Sequence, residues 1–194
     1  SGIGGHPKTI VFLTADAWGV MPPIAKLNHN AAIYHFLSGY TSKLAGTERE
    51  VIIPTPTFSA YFGAPFMPLK PIVYASLLKK YLDKHKSEVY LINTGWGGGA
   101  YGVGKRISIK DTRAIVRAAL DGKITGNFRH DKIFNFSVPV EIPGVKSEIM
   151  NPRDQWLDKK DYARKAHELA SLFVANFAKF KDIPREIIHS GPTL

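Results

Sequence analysis

The residues best able to do chemistry lie between positions 94 and 113. Thr94-Gly-Trp-Gly-Gly-Gly-Ala-Tyr-Gly-Val-Gly104 carries six glycines, and Lys105, Arg106, Lys110 and Arg113 follow closely. A glycine-rich backbone lets a ligand approach the main chain, and the cations suit an anion or a nucleotide. Gly99-Ala-Tyr-Gly-Val-Gly104-Lys105 also reproduces the spacing of a phosphate-binding P-loop as far as its lysine. Arg106 then stands where that loop needs a Ser or Thr hydroxyl for magnesium, and Ile107-Ser-Ile-Lys110 separates the glycines from the helix expected near Asp111. A P-loop opens directly into its helix, so the match is read as accidental. Spacing alone leaves two readings equally open: an anion or nucleotide contact, and a flexible surface loop whose basic residues are merely solvated.

Other candidates are weaker. Asp16 ends the largely apolar run Thr9-Ile-Val-Phe-Leu-Thr-Ala-Asp16. The carboxyl end of a strand is where open α/β sheets bind ligands, but an aspartate there caps a turn about as often. The seven histidines form no helical pair around a glutamate and no cluster with carboxylates, so the spacing offers no zinc site and no catalytic triad. His35, inside an apolar helical pattern beside Phe36, reads as a packed side chain, and His167 beside Glu168 as a surface one. Cysteine is absent, which excludes disulfides, thiolate metal sites and a cysteine nucleophile.

These residues need elements to hold them. The 194 residues, 44% hydrophobic and with 11% aromatics, suffice for one sizeable core. The net charge of +10 would draw phosphates, nucleic acid or an acidic partner. No apolar run is long enough to span a bilayer, so no membrane partner is expected and the default location is cytoplasmic.

Thr9 to Asp16 has the pattern of a strand buried on both faces. Asn28 is placed to cap a helix with a stripe of Ile33, Phe36, Leu37, Tyr40 and Leu44, ending at Gly46 and packing one face on a sheet. Five prolines between positions 52 and 71 mark an irregular segment. Pro71 then opens a helix with Tyr74, Leu77, Leu78, Tyr81 and Leu82 as its apolar stripe and with lysines 79, 80, 84 and 86 solvated. Glu88–Asn93 reads as a second strand. Ser108 or Asp111 caps a helix closed by Asp121-Gly122, alternation from Phe134 to Val140 gives a further strand, and Asp158 starts a helix burying Tyr162, Ala166, Leu169, Phe173 and Phe177. The order is that of an α/β fold with a mixed sheet and packed helices.

Several stretches then become recognisable: Phe12-Leu-Thr-Ala-Asp-Ala-Trp-Gly-Val-Met-Pro-Pro23, Tyr34-His-Phe-Leu-Ser-Gly-Tyr40, Ala45-Gly-Thr-Glu48, Thr57-Phe-Ser-Ala60, Asn93-Thr-Gly-Trp96 and Gly104-Lys-Arg-Ile-Ser-Ile-Lys-Asp-Thr-Arg113. In this order they resemble the ATP-dependent phosphoenolpyruvate carboxykinases, from about Lys8 to Phe180. Such enzymes convert oxaloacetate and ATP to phosphoenolpyruvate, carbon dioxide and ADP in gluconeogenesis, with Mg2+ on the nucleotide and usually Mn2+ at the substrate.

The resemblance implies that Arg106 and Ile107 border the adenine and ribose of ATP and that Thr112 adds a further nucleotide contact. It also implies that residues 1–194 form the C-terminal part of the nucleotide-binding domain. The P-loop lysine and threonine, the metal ligands and the substrate arginines would lie in a missing N-terminal part of the same polypeptide. Phosphoryl transfer rests on those groups, so this chain alone is expected to be inactive. Two alternatives are a non-catalytic nucleotide-binding partner and a basic nucleic-acid-binding module; the helical spacing of the aromatics, which suits core packing, speaks against nucleic acid as a partner.

Overall fold

The computed structural model describes residues 2–43 and 51–194. A five-stranded mixed sheet runs in the order β1 (Thr9–Thr14), β5 (Glu88–Asn93), β2 (Ile24–Leu27), β9 (Phe136–Pro139) and β8 (Phe128–Asp131). Strands β1 and β5 are parallel and in register from Thr9 opposite Glu88 to Thr14 opposite Asn93. Strand β2 is antiparallel to β5, and β8 to β9. Two small ribbons complete the strands: β3 (Tyr40–Lys43) with β4 (Thr55–Phe58), and β6 (Trp96–Gly97) with β7 (Lys105–Arg106). The helices are α1 (His29–Ser38), α2 (Pro71–His85), α3 (Ile109–Leu120), α4 (Pro152–Gln155), α5 (Lys159–Phe177) and α6 (Arg185–Ile188). Among the described residues no helix is long and apolar enough to cross a membrane.

Strand β5 is the buried centre, with Val89, Tyr90, Leu91 and Ile92 all inside. Strand β1 departs from the expected burial on both faces: it is the sheet's edge, its residues Thr9 to Phe12 are half-buried, and Leu13 is 57% exposed. An apolar run shows that a strand can be covered; sequence neighbours alone do not cover it.

Helix α1 starts as expected, with Asn28 Oδ1 accepting from the Ala31 amide at 2.8 Å. It stops earlier. Gly39 adopts the left-handed conformation (φ 55°, ψ 43°), and its N–H closes on the His35 carbonyl at 2.9 Å. A Cβ there would stand 1.6 Å from the Ser59 carbonyl oxygen, so the close passage of the chain before the 60s demands glycine as much as the cap does. Tyr40 therefore belongs to β3 and not to the helical stripe. Leu44, Gly46 and the stretch 45–48 lie outside the described residues. The helix is also buried nearly all round, from Ala31 to His35 and at Leu37 and Ser38, where a single packed face was expected.

Helix α5 follows its expected pattern. Asp158 caps it through the Lys160 and Asp161 amides, and Tyr162, Ala166, Leu169, Phe173 and Phe177 are buried. Phe173 has Tyr40 at 4.9 Å and Phe58 at 5.1 Å, while Tyr34 stacks on Phe177 at 4.0 Å. These contacts draw α1, β3, β4 and α5 into one core. Helix α2 is thinner cover: only Ala75 and Leu82 are buried, and Leu77 and Tyr81 of its expected stripe are nearly half exposed.

Candidate functional site

The parallel strands β1 and β5 end side by side, and the segments leaving them are sewn together. The Asn93 side-chain carbonyl accepts from the Asp16 amide at 2.9 Å and the Gly95 amide at 2.8 Å, while its Nδ2 donates to the Met21 carbonyl at 3.2 Å. The Thr94 amide and hydroxyl both donate to the Thr14 carbonyl, at 2.8 and 3.0 Å. The Trp96 amide reaches the Asp16 carbonyl at 2.8 Å and the Tyr101 amide the Ala17 carbonyl at 3.2 Å.

Asp16 organises the first of these segments from inside. It is fully buried, and its carboxylate accepts from the Trp18, Val20 and Met21 amides at 2.9, 2.7 and 2.9 Å and from the Tyr40 hydroxyl at 3.1 Å. Burial pushes its pKa above the usual carboxylate value, and these donors oppose that rise. All of its hydrogen bonds are internal, so Asp16 is a turn-builder and offers nothing to a ligand.

The glycine-rich loop is packed and not merely solvated. Gly19 has φ 70°, and a Cβ on it would lie 2.2 Å from the Gly99 carbonyl oxygen. The glycines thus let two backbones touch. Trp156 closes the same region from α5's approach, its Nε1 donating to the Gly19 carbonyl at 2.8 Å.

The loop returns through the β6–β7 ribbon, which sets Trp96 opposite Arg106 and Gly97 opposite Lys105. The Ile107 amide then binds the Gly95 carbonyl at 2.8 Å, and Ser108 caps α3 by accepting from the Asp111 amide at 3.0 Å. A strand therefore intervenes between the glycines and the helix, which is incompatible with a P-loop.

A cleft of about 550 Å³ opens along this turn, lined by Thr94, Arg106, Ile107, Ser108, Ile109, Thr112 and Arg113. The three residues singled out by resemblance, Arg106, Ile107 and Thr112, are thus brought together. Arg106 is exposed but held: its Nε donates to the Thr94 carbonyl at 3.1 Å, and its guanidinium carbon lies 5.4 Å from the Trp96 ring centre. Ile107 and Thr112 are half-buried. Of the four cations after the loop, Arg106 and Arg113 line the cleft, Lys110 and Arg113 share a neighbouring groove with Arg117, and Lys105 is exposed on β7. Sequence reasoning missed the pairing of Trp96 with Arg106, although a tryptophan inside a run of glycines was the signal that could have suggested it.

Besides the neighbouring Lys110–Arg117 groove of about 640 Å³, two clefts of about 670 Å³ each lie elsewhere. One is an apolar groove by Tyr34, Phe177 and Phe180, the other a polar one by Arg129, Glu148 and Asp154. Size does not decide among them. The smaller cleft alone sits by the carboxyl ends of the two parallel strands and combines two guanidinium groups, an apolar wall and hydroxyls, a set suited to a ring bearing polar substituents and nearby negative charge. Among the described residues no group of three or more His, Asp or Glu side chains could hold a metal ion.

An α/β unit with a cationic cleft at the ends of parallel strands is a ligand-binding class of fold. The family model described as phosphoenolpyruvate carboxykinase matches residues 1–148. The chain is 56% identical over 193 residues to phosphoenolpyruvate carboxykinase (ATP) of Caldanaerobacter subterraneus subsp. tengcongensis, covering 99% of this chain and 37% of that protein. It is 57% identical to phosphoenolpyruvate carboxykinase (ATP) 2 of Moorella thermoacetica, and 55% identical to phosphoenolpyruvate carboxykinase (ATP) of Brucella suis biovar 1, covering 100% of this chain and 37% of each protein. The chain belongs to the phosphoenolpyruvate carboxykinase family. It spans about 37% of the length of these relatives.

Proposed function

We propose that this chain forms the adenine- and ribose-facing wall of the nucleotide site in an ATP-dependent phosphoenolpyruvate carboxykinase. The observation that carries this reading is the convergence of Arg106, Ile107 and Thr112 on one cleft beside the ends of β1 and β5. The complete polypeptide would turn oxaloacetate and ATP into phosphoenolpyruvate, carbon dioxide and ADP in the cytoplasm, with Mg2+ and Mn2+ held by residues outside this chain. Those ions would supply the charge neutralisation that phosphoryl transfer requires.

The residues present serve binding. The Arg106 guanidinium offers a planar cation to the face of a purine, Ile107 gives the base an apolar neighbour, and the Thr112 hydroxyl can donate to or accept from a polar atom of the nucleoside. Arg113 adds positive charge at the same cleft. These contacts act equally before and during the reaction, so they lower the KM for ATP without accelerating the chemical step.

Replacing Arg106 by alanine in the complete polypeptide should therefore raise the KM for ATP by about tenfold, in line with a cation–π contact of roughly 1–2 kcal/mol, and leave the KM for oxaloacetate unchanged. Steady-state kinetics with each substrate varied in turn is the check. An unaltered KM for ATP would remove Arg106 from the nucleotide site.

A further inference from the structure

We infer that Trp96 is the positioning residue for Arg106, a fixed platform that orients the guanidinium toward the nucleotide. The inference rests on the adenine-side reading of the cleft and assigns a role within it to a residue that lies outside its lining.

Trp96 is 8% exposed and Arg106 is exposed, so the pair joins an immobile ring to a side chain at the surface. The ring is fixed from several directions. Its backbone amide is bonded to the Asp16 carbonyl at 2.8 Å, its residue pairs with Arg106 across β6–β7, and Tyr101 meets it edge-on at 5.7 Å and 82°. Arg106 answers with two restraints, the Nε bond to Thr94 and the 5.4 Å approach to the indole. An arginine free in solvent must give up considerable side-chain freedom when it binds, and one already held has less to lose. The Trp96 ring lies 5.4 Å from the guanidinium carbon, and Arg106 is otherwise exposed and accessible to a base.

The geometry also explains why glycines surround this tryptophan. A Cβ on Gly95 would stand 2.2 Å from the Asp16 carbonyl oxygen and one on Gly97 2.9 Å from Gln155 Oε1, so the ribbon that sets Trp96 opposite Arg106 packs too closely for side chains at its flanks.

The test uses the complete polypeptide carrying Trp96→Leu, Trp96→Phe, Arg106→Ala and the Trp96→Leu/Arg106→Ala pair. The dissociation constant of ADP is measured by calorimetry, and the Michaelis constants of both substrates by steady-state assay. Trp96→Leu should weaken ADP and raise the KM for ATP about three- to tenfold, with kcat and the KM for oxaloacetate unchanged. In the Arg106→Ala background the same change should have no further effect, because Trp96 acts through Arg106. Equal losses in both backgrounds would overturn the inference and leave the cleft reading standing. Arg106→Ala with normal ADP affinity would overturn both. Should the leucine variant fail to fold, Trp96→Phe carries the test: its smaller ring should weaken ADP about two- to threefold, and only when Arg106 is present.

Discussion

Replacing Asp16 by alanine should destabilise the fold by about 3–5 kcal/mol. Each buried polar group stripped of its partner costs about 1–3 kcal/mol. This buried carboxylate accepts from the Trp18, Val20 and Met21 amides and from the Tyr40 hydroxyl, which also bonds to Ser42. Burial and the adjacent Asp16 hold the Tyr40 phenol protonated, so it stands ready as a donor. Asparagine should recover only part of the loss, because its NH2 group would face at least one of these donors.

The effect should also travel to the cleft. The turn that Asp16 builds bonds to Trp96 and Tyr101 and presses Gly19 against Gly99, so loosening it frees the loop that places Arg106. Denaturant unfolding would show the lost stability, and a raised KM for ATP in the complete polypeptide would show the coupling. A shift under about 1 kcal/mol would mean that water reaches these amides.

The second large effect is a sensitivity to acid located at His35. Its ring is buried against Tyr34, Phe136 and Phe173, with centroids 5.4, 5.1 and 5.5 Å away, and its Nε2 has no hydrogen-bond partner among the described residues. Burial lowers its pKa from 6.5 to about 3. Below pH 6.5 the unfolded chain takes up a proton that the folded one refuses. This contribution to stability is therefore fully present above pH 6.5 and is lost progressively as the pH falls toward 3. At pH 4.5 the loss is on the order of 3 kcal/mol.

His35→Gln keeps a polar group of similar reach but cannot titrate. Unfolding both proteins at pH 7 and pH 4.5 isolates the histidine, since every other group is common to the two. The glutamine variant should lose markedly less stability on acidification. Identical losses would show that the His35 ring accepts its proton within the fold.

Both effects depend in part on contacts distant in sequence, Tyr40 for Asp16 and Phe136 and Phe173 for His35. Asn28, Ser108 and Asp158 could be read as helix caps because each acts on amides two or three residues away. The stripe from Tyr162 to Phe177 was legible from its period alone. Strand β2, by contrast, is only Ile-Ala-Lys-Leu, too short to show a period, yet it links β5 to β9 in the middle of the sheet. The end of α1 at Gly39 was hidden because the glycine answers to Ser59, which the chain brings alongside only when folded. Asp16 was placed correctly at a strand's end, but its use was settled by Tyr40 and by the amides of its own turn.

The cleft shows the same division. Glycines and cations were visible as a composition, and spacing even suggested a P-loop. What distinguishes the cleft is the β6–β7 ribbon, two residues in each strand, which stands between the glycines and α3 and sets Arg106 beside Trp96. Pairing that short leaves no alternation to read.

The claim that residues 94–113 hold the nucleotide base can be tested by photolabelling the complete polypeptide with an azido-adenine analogue of ATP and mapping the modified peptides. The label should fall on the segment from Thr94 to Arg113, and excess ATP should protect it. Specific, ATP-protected labelling confined to other segments would contradict the account.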